Sequence, residues 1–171
     1  MEEDIIPPTT KEKMARGLVK WQQRKTEDLR IERDDSRGLC VVATRDYQKW
    51  DFVCEYEAEF ITHKERVRRE KGYAADDPGS FVVDAWWDGK EVALDATRTL
   101  GTFGRLVNHA RDGNLKPYPQ LLQVSPDEPP RMVLYCHTAI KSGEEVFWNY
   151  GLGDDEAPWA SFKRSTMTNK R

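Results

Sequence analysis

The chain has 171 residues, of which 27 are basic and 30 acidic, for a net charge of −3. That length suits one domain that buries a core without metals or disulfides, and the charge balance excludes a global polycation drawn to nucleic acid. Cys40, Cys54 and Cys136 stand far apart in apolar runs, with no CxxC or Cys/His cluster to hold a structural zinc. No metal is expected. The thiols read as reduced core residues of a soluble, intracellular protein, and no signal peptide or spanning apolar run is expected.

Residues 1–8, acidic and then Pro-Pro, read as a disordered lead. Thr9, with Glu12 three positions on, has the pattern of a capping box. The helix it would start puts Met14, Leu18 and Trp21 on one stripe, with Lys11, Lys13, Arg16, Lys20, Arg24 and Lys25 around it. Such a basic face is either solvated or a dock for an acidic partner. Leu29 to Arg33 reads as a short strand, followed by a tight loop, Asp34-Asp35-Ser36-Arg37-Gly38, and a buried strand from Leu39 to Ala43.

Phe52 through Ile61 alternates as one strand, with Phe52, Cys54, Tyr56, Ala58 and Phe60 on one face. Thr62 caps a charged helix from His63 to Lys71 that stops at Gly72, and Asp76-Asp77-Pro78-Gly79 is a turn. Phe81 to Trp87 and Lys90 to Leu94 form a hairpin through Asp88-Gly89. Further strands are expected over Gln120 to Val124, Arg131 to Cys136 and Val146 to Tyr150, the last entered through Lys141-Ser142-Gly143-Glu144. Many short strands with few helices predict a mainly β fold with short helices.

Two stretches carry the chemistry. In Leu106-Val107-Asn108-His109, an Asn-His pair follows apolar residues and precedes the turn Asp112-Gly113-Asn114. The pair offers amide donors, a carbonyl and an imidazole to a polar small molecule. Equally, it is a satisfied His with its Asn capping a turn. The second stretch is Gly143-Glu144-Glu145 through Asn149-Tyr150-Gly151.

Together with Ser36-Arg37-Gly38-Leu39 and Glu55-Tyr56, these motifs resemble, in order and spacing, the SET-domain protein lysine methyltransferases. Asp95-Ala96-Thr97-Arg98, Gly104-Arg105-Leu106 and the helix before the domain are most similar to the subfamily that monomethylates lysine 20 of histone H4. The resemblance implies a fold of several small sheets, in which the segment before Tyr150 threads beneath the loop carrying Asn108 as a pseudoknot. It divides the chain into a lead (1–8), a flanking helix and strand (9–33), the SET domain (34–151) and a C-terminal segment (152–171).

By the same resemblance the cofactor is S-adenosyl-L-methionine (SAM), which leaves as S-adenosyl-L-homocysteine. Asp35, Ser36, Arg37 and Gly38 would line its methionine end, Phe81 would stand beside it, and Asn108 and His109 would hold it. Trp159 would stack on the adenine, or else cover the core edge. Tyr56, Ser80, Trp148 and Tyr150 would line the lysine channel, with Tyr150, Tyr56 and Trp148 at the reacting end. Three positions depart from the family: Ala58 replaces a Gly, Ser80 a Cys, and Trp148-Asn149-Tyr150-Gly151 replaces Tyr-Asp-Tyr-Gly. Trp148 either lies along the channel wall or blocks it, so an active enzyme on a histone tail, an active enzyme on a non-histone lysine, and a module that binds a histone tail or SAM without turnover all stay open. The implied partner is a histone tail or nucleosome in the nucleus, with the basic helix facing the nucleosome's acidic surface or DNA. Glu57, Glu59, Asp76, Asp77 and Asp84 form either an acidic rim for a basic peptide or an ordinary solvated edge.

Overall fold

The computed structural model describes residues 5–23, 28–36, 38–73, 81–98, 102–151 and 163–164. Helix α1 (Thr10–Gln22) buries the expected stripe: Met14 and Leu18 are fully buried and Trp21 nearly so. The predicted capping box does not form. Thr9 has helical φ and ψ and makes no side-chain cap, whereas a capping side chain needs an extended backbone to reach the next turn. Instead the Thr10 amide donates to the Pro7 carbonyl at 3.0 Å.

Strands β1 (Leu29–Asp34) and β2 (Gly38–Ala43) pair antiparallel as a separate two-stranded sheet. The strand expected from Phe52 to Ile61 is two strands, β3 (Phe52–Tyr56) and β4 (Glu59–Thr62), with the break at Glu57-Ala58. Strand β4 joins a second sheet, so the uninterrupted alternation is misleading. Both faces of β3 are buried, including Glu55, which is 2% exposed and paired with Arg131 at 3.1 Å.

Helix α2 (His63–Tyr73) begins where expected, with the Glu65 amide donating to Thr62 Oγ1 at 3.1 Å. It runs through Gly72, because the Tyr73 hydroxyl is anchored on Asp95 Oδ2 at 2.6 Å. Strands β5 (Val82–Trp87) and β6 (Lys90–Asp95) form the predicted hairpin, with Asp88 and Gly89 both at positive φ as a type I′ turn requires.

A 3-10 turn (Gly104–Leu106) leads into β7 (Asn108–His109) and then β8 (Leu115–Pro117). No strand forms over Gln120 to Val124, where only Leu122 bridges Arg131. Pro117 and Pro119 carry no amide donor, which interrupts the ladder just before that segment. Strand β9 (Met132–Cys136) is as expected, and the last predicted strand shortens to β10 (Phe147–Trp148). Lys163–Arg164 (β11) pairs with β5. The sheet orders are β3-β9-β8-β10-β7 and β11-β5-β6-β4.

The threading that the resemblance implied is present. Strand β10 lies between β7 and β8 and parallel to both, so the link 110–114 must cross over it. At the crossing, a Cβ on Gly113 would stand 2.7 Å from both the Phe147 oxygen and the Trp148 Cα. Only a residue without a side chain fits there. Asn114 secures the crossing from the same loop: its Oδ1 accepts from the Phe147 amide at 2.8 Å and its Nδ2 donates to the Glu145 carbonyl at 2.9 Å.

Candidate active site

The threaded strand and the edge strand β7 bring Asn108, His109, Trp148 and Tyr150 together. The Tyr150 amide donates to His109 Nδ1 at 3.0 Å, and the two rings lie 5.1 Å apart. Because Nδ1 accepts, the neutral imidazole carries its proton on Nε2. The Tyr150 hydroxyl donates to the Val107 carbonyl, and Tyr150 is 4% exposed. The Trp148 ring stands edge-on between two tyrosines, 5.0 Å from Tyr150 and 6.2 Å from Tyr56. Strand β3 supplies Tyr56, whose hydroxyl donates to the Phe81 carbonyl at 3.0 Å.

Phe81 is held in turn. Its amide donates to Thr97 Oγ1 at 3.0 Å, and the Arg105 guanidinium lies 4.3 Å over its ring while Arg105 Nη1 donates to the Ala96 and Thr97 carbonyls. Tyr56, Trp148 and Tyr150 thus form one connected aromatic wall, tied to Phe81 through its backbone carbonyl. Two phenols spend their protons on backbone carbonyls, and a phenol oxygen used in this way still has lone pairs with which to accept. Trp148 is 0% exposed, and its Nε1–H has no hydrogen-bond partner among the described residues. A buried donor left unmatched is costly.

Asn108 ties two segments of the site together. Its Nδ2 donates inward, to the Leu39 carbonyl at 3.0 Å and Glu145 Oε1 at 3.2 Å. The amide thereby ties β2 to the threaded segment. Among the described residues, strand β7 is the edge of its sheet.

The bond to Leu39 also draws the start of β2 toward β7. There Gly38 has φ +86, and among the described residues nothing lies within 4 Å of where its Cβ would stand. The positive φ requires a glycine, and the backbone borders open space. Asp35 and Ser36 sit in the exposed β1–β2 turn, where Asp34 Oδ1 accepts from the Ser36 amide at 2.8 Å. Arg37, Ser80 and Trp159, also expected at the site, lie outside the described residues, as do Asp76 and Asp77.

The proposed acidic rim has internal partners. Glu57 accepts from Trp21 Nε1 at 2.9 Å, Glu59 from Arg69 at 2.7 Å and Asp84 from Arg66 at 3.0 Å. Asn114, Glu145 and Arg105 are structural members of the site that were not expected as site residues, although Arg105 and Glu145 fall within motifs that carried the family resemblance and Asn114 directly follows a turn glycine. Among the described residues no group of three or more His, Cys, Asp or Glu is placed to hold a metal, and no helix is long and apolar enough to cross a membrane.

Comparison with known proteins identifies the family. The SET domain family model matches residues 38–151. The chain is similar to the N-lysine methyltransferase KMT5A of Xenopus tropicalis, at 34% identity over 131 residues, spanning 76% of this chain and 38% of that protein. It is also similar to the histone-lysine N-methyltransferase Set8 of Drosophila melanogaster, at 32% identity over 158 residues, spanning 89% of this chain and 22% of that protein. The chain therefore spans well under half the length of these relatives. Among solved structures, CpSET8 from Cryptosporidium superposes with a TM-score of 0.71 at 25% identity, covering 90% of this chain and 70% of that one.

Proposed function

Because the chain belongs to the SET-domain family, we propose that it is a SAM-dependent protein lysine N-methyltransferase that places one methyl group on a histone tail, at lysine 20 of histone H4 in nucleosomes. The observation that carries this reading is the threading of β10 between β7 and β8. It gathers Tyr150 and Trp148 against His109 on one side and Tyr56 on the other. The open space at Gly38 and the edge strand β7 fit a cofactor bound by backbone groups. In this reading Asp35, Ser36, Arg37, Gly38, Phe81, Asn108, His109 and Trp159 hold SAM, which supplies a methyl group on a cationic sulfonium.

The protein's share of the chemistry is desolvation and orientation. A lysine that enters between Tyr56, Trp148 and Tyr150 loses water, which disfavours its charged form and lowers its pKa. A nearby positive charge acts in the same direction. The amine becomes a nucleophile without a strong base, which suits an aromatic wall whose phenols donate to carbonyls. Holding the amine in line then supplies much of the rate. Trp148 acts as the gate: its burial between two tyrosines supports a ring lying along the wall, where its bulk leaves room for an amine but not for a methylated one. Ser80 is assigned to the same channel, and the site of action is nuclear chromatin.

Helix α1 adds a contact surface in this reading: its basic face, with Arg16 and Lys20 exposed, would meet the acidic surface or DNA of the nucleosome. Lys13 is paired with Asp51 at 2.7 Å, and Arg24 and Lys25, expected on the same face, lie outside the described residues.

The test is mass spectrometry of histones after nucleosomes, or free H4-tail peptides, are incubated with the protein and SAM. Monomethylation of H4 lysine 20 is expected, faster on nucleosomes than on peptide, with that advantage falling as salt rises. Trp148→Phe should add dimethyl product. Calorimetric SAM binding without any methylated lysine would leave a binding module, and wild-type di- or trimethylation would remove the gate.

A further inference from the structure

We infer that Trp21, which lies upstream of the SET match at residues 38–151, is a positioning residue for Tyr56. The inference rests on the role given to Tyr56 above. Trp21 is 6% exposed at the last turn of α1, and its Nε1–H donates to Glu57 Oε1 at 2.9 Å. Its ring meets Phe52 and Phe103 edge-on, at 6.1 Å and 5.8 Å between centroids.

Both ends of this contact lead to Tyr56. Glu57 is the next residue in the chain, at the corner where the backbone leaves the five-stranded sheet for the four-stranded one. Phe103 precedes Gly104, which lies so close to β3 that a Cβ there would stand 2.6 Å from the Glu55 oxygen and 2.7 Å from the Tyr56 Cα. One indole therefore holds two segments, one bonded to Tyr56 and one pressed against its backbone. The far end of the tyrosine is fixed separately, by the hydroxyl bond to Phe81. Glu57 and Ala58 belong to no strand, so the corner has no ladder to restrain it. When reacting groups must be aligned, a displacement of about 1 Å costs about 10²-fold in rate. A partial shift of Tyr56 should therefore lower turnover while leaving cofactor affinity alone.

The experiment uses the full chain with SAM and an H4-tail peptide. Turnover is expressed per calorimetrically competent SAM site and measured well below the unfolding midpoint of every variant. Trp21→Phe and Glu57→Ala should each lower kcat about ten-fold at unchanged KM for SAM, and the double variant should fall no further than the worse single. Glu57→Gln, whose amide oxygen accepts the same N–H, should stay within about two-fold of wild type. The ring-proton resonances of Tyr56, assigned with Tyr56→Phe, should shift in Trp21→Phe and return to near their wild-type positions in Glu57→Gln.

Unchanged kcat in Trp21→Phe, losses that multiply in the double variant, or a loss that persists in Glu57→Gln would overturn the inference. If the wild type methylates no lysine, the methyltransferase reading fails by itself. The Tyr56 resonances still decide the coupling, and no shift in Trp21→Phe would refute it.

Discussion

Helix α1 buries Met14, Leu18 and Trp21 against β3, β9 and the segment from Tyr118 to Leu122. Helix α2 buries no residue and is held to β4, β5 and β6 by side-chain charges and one phenol. On α2, Arg66 donates to Asp84 at 3.0 Å. Arg69 donates to Asp95 at 3.1 Å and to Glu59 at 2.7 Å, and the Tyr73 hydroxyl donates to Asp95 at 2.6 Å. Buried apolar surface has no charge to titrate or to screen, whereas an ion pair weakens when salt screens it or acid protonates its carboxylate. The difference teaches that the frame carrying Tyr56 is built into the core, while the helix bordering the other sheet is held by contacts that solution conditions can weaken.

The largest expected effect lies in α1. Leu18→Ala empties a fully buried position and should cost about 2–5 kcal/mol, read as a lower midpoint in urea with little change in slope. A smaller loss than that from removing one α2 cation would break the comparison.

Arg69→Ala comes next. It strips the cation from Asp95, which is 3% exposed, but leaves that carboxylate its bonds from Tyr73 and the Thr97 amide. The cost should be about 1–3 kcal/mol. Hydrogen exchange should speed up through α2 while the amides of α1 keep their protection; equal acceleration in both helices would contradict separate modes of docking.

The smallest effect is acid release of α2. Burial pushes the Asp95 carboxyl up, but hydrogen bonds from Tyr73, Thr97 and Arg69 together outweigh it and hold it below its ordinary value. Hydrogen bonds from Arg69 lower Glu59, and those from Arg68 and Arg69 lower Glu65 to about 2. Groups depressed in the folded state stabilise fully above their unfolded pKa, roughly 4, and lose that contribution as pH falls through the folded values. Asp84 works in the opposite sense, since burial raises it despite Arg66. Protection of the α2 amides, taken relative to the intrinsic exchange rate at each pH, should therefore fall below about pH 4, ahead of protection at the apolar anchors of α1. Simultaneous loss of both helices would remove the distinction.

Legibility in the sequence followed the range of the forces involved. The stripe of Met14, Leu18 and Trp21 was readable because helical periodicity is local, and the β5–β6 hairpin was readable because Asp88-Gly89 encodes its own turn. The motifs around Tyr56, Asn108-His109 and Tyr150 identified the family, whose fold the structure shares. The capping box failed on local ground too, because Thr9 takes a helical backbone.

Other features depended on distant partners. The break at Glu57-Ala58 appears only because β3 pairs with β9 and β4 with β6. Asn114 and Gly113 look like ordinary turn residues until β10 passes beneath them. Nothing adjacent to Trp21 or Glu57 in the chain announces the bond between them. By itself the sequence determined the elements with short-range signals and the residue types of the site. Tertiary structure decided which side chains meet, because those contacts join segments far apart in the chain and no local pattern encodes their geometry.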